Sequence, residues 1–349
     1  MNKLYFFLLI ALCLIAICCC DYVPPETEGR LVRIDEDGIY HLVQQPAEFD
    51  TLKAMKALPD GNLLLLSDQF YLYHTATNTV SKINTSDSRI QEGGSKFCLS
   101  PEGDAIFYCT PDKIWRKDLL SLAEECLVDS AGATYYSPFL SKDARYLAFL
   151  RRTGSNYAKW EGYPLYLDLQ TNEVVSLATG DEILDNSVTD CWIDHFHSKY
   201  MFSTELGYSD YFLNSMDMDG NNRAVTTEII RKGALTADGR YLLPRPDAQG
   251  SSTGAFYFRN NLSMLWTNMD RVNSFNISRA KSLIYYYKHE EKKLFKYNLA
   301  TKEKQVLFNK SSVQNRKIQS VTHISPRWDD DGLFAMLNLI VPTQKDREE

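Results

Sequence analysis

The feature that most constrains this chain is a short phrase repeated seven times, an aliphatic residue followed by a small or turn-forming one. It stands at Leu58-Pro59, Leu99-Ser100, Leu140-Ser141, Ile193-Asp194, Leu235-Thr236, Ile277-Ser278 and Ile324-Ser325, at spacings of 41, 41, 53, 42, 42 and 47 residues. A turn and then an apolar run follow each phrase, at 63–66, 105–108, 146–149, 200–202, 241–243, 283–286 and 334–337. Several of the turns read Asp60-Gly61, Glu102-Gly103, Asp143-Ala144, Asp238-Gly239 or Asp331-Gly332. Asp-Gly suits a tight hairpin because glycine takes positive φ without a steric penalty. A second, more polar hairpin comes next, turning through Thr77-Asn78, Thr171-Asn172 or Thr301-Lys302. Each unit therefore holds four strands, the inner ones apolar throughout and the outer ones alternating.

Four strands at a period near 40 are the pattern of a β-propeller blade. The expected fold is all-β: a seven-bladed β-propeller of four-stranded antiparallel blades. The last repeat supplies only an inner hairpin, 321–325 with 333–341, while 31–34 and 39–43 form an orphan outer hairpin. Combined, they make one blade from both chain ends, a ring closed by the N-terminal outer hairpin pairing with the C-terminal inner hairpin. No long apolar stripe of period 3.6 occurs after residue 20, which argues against a helical fold.

The first residues read as a targeting segment. A short positive start ending at Lys3 precedes an apolar run over 4–17, then Cys18-Cys19-Cys20, then Asp21 and Pro24-Pro25. The run is short for a membrane span and fits a signal peptide. The pattern resembles a bacterial lipoprotein signal, which implies a lipidated cysteine. Cys20 fits best, with Ile17 three residues before it, although Cys18 and Cys19 stay open, as do a plain secretory signal and an uncleaved anchor. The expected organisation is a signal over 1–19, a lipidated Cys20 and short tether over 20–29, the propeller over 30–342 and a polar tail over 343–349.

The formal net charge of −7 argues against a nucleic-acid partner, which favours a basic face. Cys98, Cys109, Cys126 and Cys191 are expected to be buried thiols. Register sets Cys98 opposite Phe107 rather than Cys109, which disfavours a disulfide, and no close-spaced pair marks a metal site.

Two phrases carry a family likeness. Leu99-Ser100-Pro101-Glu102-Gly103 and Ile324-Ser325-Pro326 look like an inner-hairpin "SPDG" element. Asn214 to Asn222, with Asp217, Asp219, Gly220 and Asn221, looks like an outer-hairpin "D-x-D-G-x-N" turn. Across 30–342 the repeats resemble those of TolB-type, WD-repeat-like bacterial propellers. At this size the chain is similar to short propeller lipoproteins of Bacteroidetes-type envelopes. That resemblance implies an envelope-anchored protein that binds a protein or a glycan.

Candidate chemistry is sparse. Gly250-Ser251-Ser252-Thr253-Gly254 matches G-x-S-x-G, but a β-type run follows it where a nucleophile elbow needs a helix. Asp217, Asp219 and Asn221 imitate a calcium loop and read better as a hairpin turn. His195, His197 and His323 are the histidines that could face a channel. The first two fall in an inner-hairpin turn, so a shared metal site is not expected, and neither is a cofactor. Sequence spacing lengthens the second-to-third-strand connections at 151–164, 204–210 and 245–254. Long loops are where binding residues concentrate. These hold Arg151, Arg152, Tyr157, Lys159, Trp160, Glu161, Tyr208, Asp210, Arg245 and Asp247. Arginine with aromatics suits a protein or sugar surface. The leading expectation is a non-enzymatic binding propeller. The alternative is a metal-dependent lyase-like enzyme acting on acidic oligosaccharides.

Overall fold

The computed structural model describes residues 26–43, 52–87, 89–90, 97–152, 162–177, 187–194, 198–206, 210–229, 234–235, 241–246, 253–258, 264–266, 272–278, 283–329 and 332–341. Every regular element among them is a β-strand. Pairing sorts the strands into six antiparallel sheets. Four are four-stranded and run in chain order, over 54–83, 97–129, 134–176 and 187–229. An eight-stranded sheet consists of two four-strand runs, 234–266 and 272–308, joined through the single pair Thr253↔Val272. The sixth, the terminal sheet, takes strands from both chain ends: Tyr40–Leu42, Thr27–Asp35, Gly332–Ile340 and Arg316–Pro326, with Ser312–Val313 at its inner edge. This is a β-propeller architecture.

The pairing of the chain ends follows the sequence expectation. Thr27–Asp35 lies antiparallel to Gly332–Ile340 over nine residue pairs, from Thr27↔Ile340 to Asp35↔Gly332. The innermost strand is longer than its expected 321–325. Two register shifts, at Ile318/Ser320 and Val321/His323, let it keep pairing over Arg316–Pro326.

Burial explains the apolar runs. In Leu63–Leu66 all four side chains are buried. Leu63 and Leu65 pack on Leu31, Phe334 and Met336 of the terminal sheet. Leu64 and Leu66 pack on Phe97, Ile106 and Tyr108 of the next sheet. A strand buried on both faces cannot alternate with polar residues. Such packing continues in chain order through 97–129, 134–176 and 187–229. It also returns from Tyr285 and Tyr287 to Val32, Ile34 and Leu337 of the terminal sheet.

The repeated phrase has a hydrogen-bond cause. Ser100 Oγ accepts from Ala105 N at 3.0 Å and donates to Asp104 at 2.5 Å. Ser141 repeats this, accepting from Tyr146 N at 2.8 Å and donating to Asp143 at 2.5 Å. A small hydroxyl thus satisfies the next strand's first N–H and pins the turn. In the terminal sheet the equivalent Ser325 Oγ accepts from Ala57 N of the neighbouring sheet at 2.9 Å. Close packing of successive turns fixes Gly103 (φ 73°). A Cβ there would sit 2.4 Å from Pro59 Cδ.

Inner strands are stitched side by side. Ser274 Oγ donates to Thr322 O at 3.3 Å, and Asn276 Nδ2 to Ile324 O at 2.8 Å. Bulges at Tyr136/Phe139, Val188/Asp190, Val272/Ser274 and Val321/His323 mark these inner strands. A bulge re-aims side chains toward the strand edge, where a neighbour can be reached.

Cys98, Cys109 and Cys191 are buried thiols outside any disulfide, and Cys98 opposes Phe107. Cys126 corrects the expectation, being exposed. A register shift between Cys126 and Val128 pairs Cys126 with Trp115 and Val128 with Ile114, so the two face opposite sides.

Candidate functional site

Of the expected site residues, Arg151, Arg152, Asp210 and Arg245 fall at the end of the sheets that carries the second-to-third-strand connections. Pairing corrects the loop boundaries there. Strand Tyr146–Arg152 pairs with Gly162–Asp168 through Arg151↔Tyr163 and Arg152↔Gly162, so both arginines stand in the strand. Asp210 begins the strand Asp210–Asp217, and Arg245 lies within Tyr241–Pro246. The connections therefore shrink to 153–161, 207–209 and 247–252, because polar strand ends continue the ladder. Tyr157, Lys159, Trp160, Glu161, Tyr208 and Asp247 lie outside the described residues, as do His195, His197 and Cys20.

Strand alternation sends the two arginines to opposite faces. Arg151 shares its face with Leu147 and Phe149, against Tyr135 and Tyr163, which flank it in the ladder. Its Nε is buried and makes no hydrogen bond among the described residues. Arg152 follows Leu150 on the other face, beside Tyr136. Burial is the main force raising the Tyr136 phenol above its ordinary value. The Cys191 thiol adds to it and the Arg152 charge opposes it.

Next to Tyr136, the inner strand bulges at Ser137, which holds a left-handed φ of 57° and is fully buried. Ser137 Oγ donates to Asp190 Oδ1 of the following sheet. Asp190 Oδ1 also accepts from Cys191 N at 3.1 Å, and Cys191 Sγ donates to Ser137 O at 3.3 Å. This group fastens two sheets together. Sequence reasoning missed it, although the Ser137-Pro138 pair inside a strand was a sign of a bulge.

His323 is engaged by its neighbours. Its Nε2 donates to Lys53 O at 3.1 Å across the seam to the 54–83 sheet, and its Nδ1 lies 3.1 Å from Thr322 Oγ1. Burial lowers its imidazole below the ordinary value, against the pull of the Lys53 hydrogen bond. Among the described residues no three His, Cys, Asp or Glu side chains are grouped to hold a metal. The calcium-loop imitation is a turn. Gly220 N donates to Asp217 O at 3.0 Å and Asn221 N to Asp219 Oδ1 at 3.0 Å, while Lys199 pairs with Asp217.

No protein-family model matches the chain. No curated protein matches it either. Solved structures do. A chain of the mitotic checkpoint complex aligns with a TM-score of 0.55 at 11% identity, over 93% of this chain and 96% of that one. Dipeptidyl peptidase 4 of Porphyromonas gingivalis aligns with a TM-score of 0.50 at 12% identity, over 81% of this chain and 53% of that one. A putative TolB from Agrobacterium tumefaciens aligns with a TM-score of 0.46 at 14% identity, over 91% of this chain and 100% of that one. The chain thus spans about half of the peptidase it matches. At such identities the likeness establishes the propeller fold alone.

Proposed function

We propose that this protein is a non-enzymatic binding propeller, held at the cell envelope through a lipid on Cys20. It takes a protein or glycan partner on the face that carries the second-to-third-strand connections. The observation that carries this reading is Arg151. A half-buried guanidinium at a strand end, flanked by two tyrosines, places a cation where a partner's acceptor can meet it. Arg152 adds a second cation at the same strand end, and Tyr135 and Tyr163 supply aromatic walls. Carboxylates or hydroxyls of an acidic or sugar-bearing partner complement such a surface. Tyr157, Lys159, Trp160, Tyr208, Asp210 and Arg245 extend the proposed surface. The ring itself is read as seven blades, with the eight-stranded sheet counted as two and the terminal sheet as the closing one.

The test is a double substitution. Arginine and tryptophan at an interface commonly cost about 2 kcal/mol or more on truncation, roughly thirty-fold in affinity. Arg152→Ala with Trp160→Ala is expected to weaken, by at least that factor, binding of the partner captured from envelope extracts or a glycan array. The melting temperature should stay nearly constant. Unaltered affinity moves the site elsewhere. Cleavage of acidic oligosaccharides that depends on added divalent metal and is lost in His323→Ala replaces this reading with the lyase one.

A further inference from the structure

The opposite end of the sheets carries the third-to-fourth-strand turns, and one departs from its siblings. In the 97–129 sheet the turn tip reads Leu120-Ser121-Leu122, with Leu120 93% and Leu122 55% exposed. The framework of this turn is shared. Asp118 Oδ1 accepts from Leu120 N at 3.1 Å and Ser121 N at 2.6 Å. Asp168 Oδ1 does the same for Gln170 N and Thr171 N at 2.9 and 3.4 Å, and Asn298 Oδ1 for Ala300 N and Thr301 N at 2.8 and 3.1 Å. Four of these turns place a left-handed residue four positions after the strand's last residue: Asn78 (53°), Leu122 (60°), Asn172 (57°) and Lys302 (62°). Asparagine tolerates that region and leucine does not. Folding thus needs neither leucine, and Leu122 is unfavourable twice over, in its backbone and in its exposure. Strain of this kind held in place by its surroundings points toward function.

The holding is firm. Lys117, itself buried, donates from Nζ to Leu122 O at 2.9 Å. Asp118 N donates to Ala123 O at 2.9 Å, and Leu119 N to Asp104 O of the adjoining turn at 2.7 Å. Beside the knob stand Asp104 and Asp118, neither of them in an ion pair among the described residues. The nearby Arg116 pairs with Glu125 and Lys117 approaches Glu124.

We infer that Leu120 and Leu122 form a preset apolar knob that seats in an apolar socket of a second protein, one whose rim carries lysine or arginine to meet Asp104 and Asp118. This contact is separate from the Arg151 surface. Thr27 and Ile340 pair at the other end of the terminal sheet, so the first described strand starts away from the knob.

The test introduces the photo-crosslinker p-benzoylphenylalanine into the full chain at Leu120, and for comparison at Ala76 and Thr171, exposed tips of sibling turns. Irradiation of producing cells should give one discrete protein adduct from position 120 and none from 76 or 171. The crosslinked partner peptide should be apolar with flanking Lys or Arg. Adding Leu122→Asn should lower the adduct about ten-fold or more, while the unfolding midpoint of the purified protein holds or rises, because asparagine fits the left-handed position. The inference is overturned by no discrete adduct, by the same adduct from all three turns, by an adduct to lipid, to a second copy of this chain or to an acidic peptide, or by an adduct that Leu122→Asn leaves intact.

Discussion

Removing the N-terminal strand should cost the protein most of its stability, and the size of the loss can be worked out from burial. Thr27–Asp35 covers the edge of Gly332–Ile340 along nine residue pairs. Leu31, Val32, Ile34 and Val43 are each no more than 3% exposed. At about 1.5–3 kcal/mol for each buried aliphatic side chain, those four contribute about 6–12 kcal/mol. A domain is stable by only about 5–15 kcal/mol in total. Deletion of residues 21–43 should therefore unfold the protein or leave it barely folded. It would also bare the Gly332–Ile340 strand, seven of whose nine residues are buried, as a sticky edge. Finer substitutions grade the effect. Ile34→Ala should cost about 2–5 kcal/mol, lowering the melting temperature by roughly 6–12 °C for a loss near 3 kcal/mol. His41→Ala, on the exposed side of the same hairpin, should cost under about 1 kcal/mol despite its contact with Asp35. Urea unfolding with light scattering reads both quantities. A deletion variant that stays monomeric with an unchanged midpoint refutes the reasoning, as does an Ile34→Ala loss no larger than that of His41→Ala.

The remaining predictions concern pH and anchoring. Burial holds the His323 imidazole below its ordinary 6.5, so the unfolded chain takes up the proton first. Its contribution to stability is complete above that value and is lost as pH falls through the lowered one. His323→Gln, which keeps a donor for Lys53 O, should therefore flatten the fall in urea midpoint between about pH 7 and about pH 5; an unchanged slope refutes the assignment. Cys20→Ser should move the protein from the membrane to the soluble fraction. Detergent-dependent association that survives the substitution rules Cys20 out as the anchor, and mass spectrometry of the mature N-terminus then decides between Cys18 and Cys19.

The repeat was legible in the sequence because its cause is local. Ser100 and Ser141 each satisfy an N–H five residues on, so in those two hairpins the phrase follows from the turn itself. The pairing of the chain ends was legible for a related reason: an orphan outer hairpin and an orphan inner one have each other's missing half. The loop boundaries were not legible. Arg151 and Arg152 look like loop residues by polarity, and only the ladder to Tyr135 and Tyr163 keeps them in the strand. Cys126 misled through parity. One bulged residue reverses the face of everything before it, and no composition rule reveals the bulge. The Leu122 signal was present in the sequence, since Asn78 and Asn172 hold the same place in their turns. It acquired meaning once the φ angles established that the places correspond.

Because the chain repeats itself, each sheet serves as a control for the others, and this separates what folding requires from what it does not. At the end of the second strand, the first two sheets carry Ser67 and Thr110, both buried. Ser67 N donates to Gln69 O at 3.0 Å and Thr110 N to Lys113 O at 2.9 Å. Small hydroxyl residues are therefore sufficient to turn the chain there. In the 134–176 sheet the same place is taken by Arg151 and Arg152, whose long charged side chains lose rotamer freedom when fixed; the buried Nε of Arg151 makes no hydrogen bond among the described residues. In the 272–308 sheet it is taken by Lys288, which is buried but paired with Glu291 at 2.8 Å. The lysine is neutralised within its own turn. The exception at Arg151 is thus of the same logical kind as Leu122 at the opposite end: a residue that the repeat does without elsewhere, kept where it costs stability. On the two proposals made above, the cations at one end and the leucines at the other meet different partners. Arg151→Ser and Leu122→Asn, each borrowing the sibling residue, should therefore leave the fold as stable or more so while each removes a different contact.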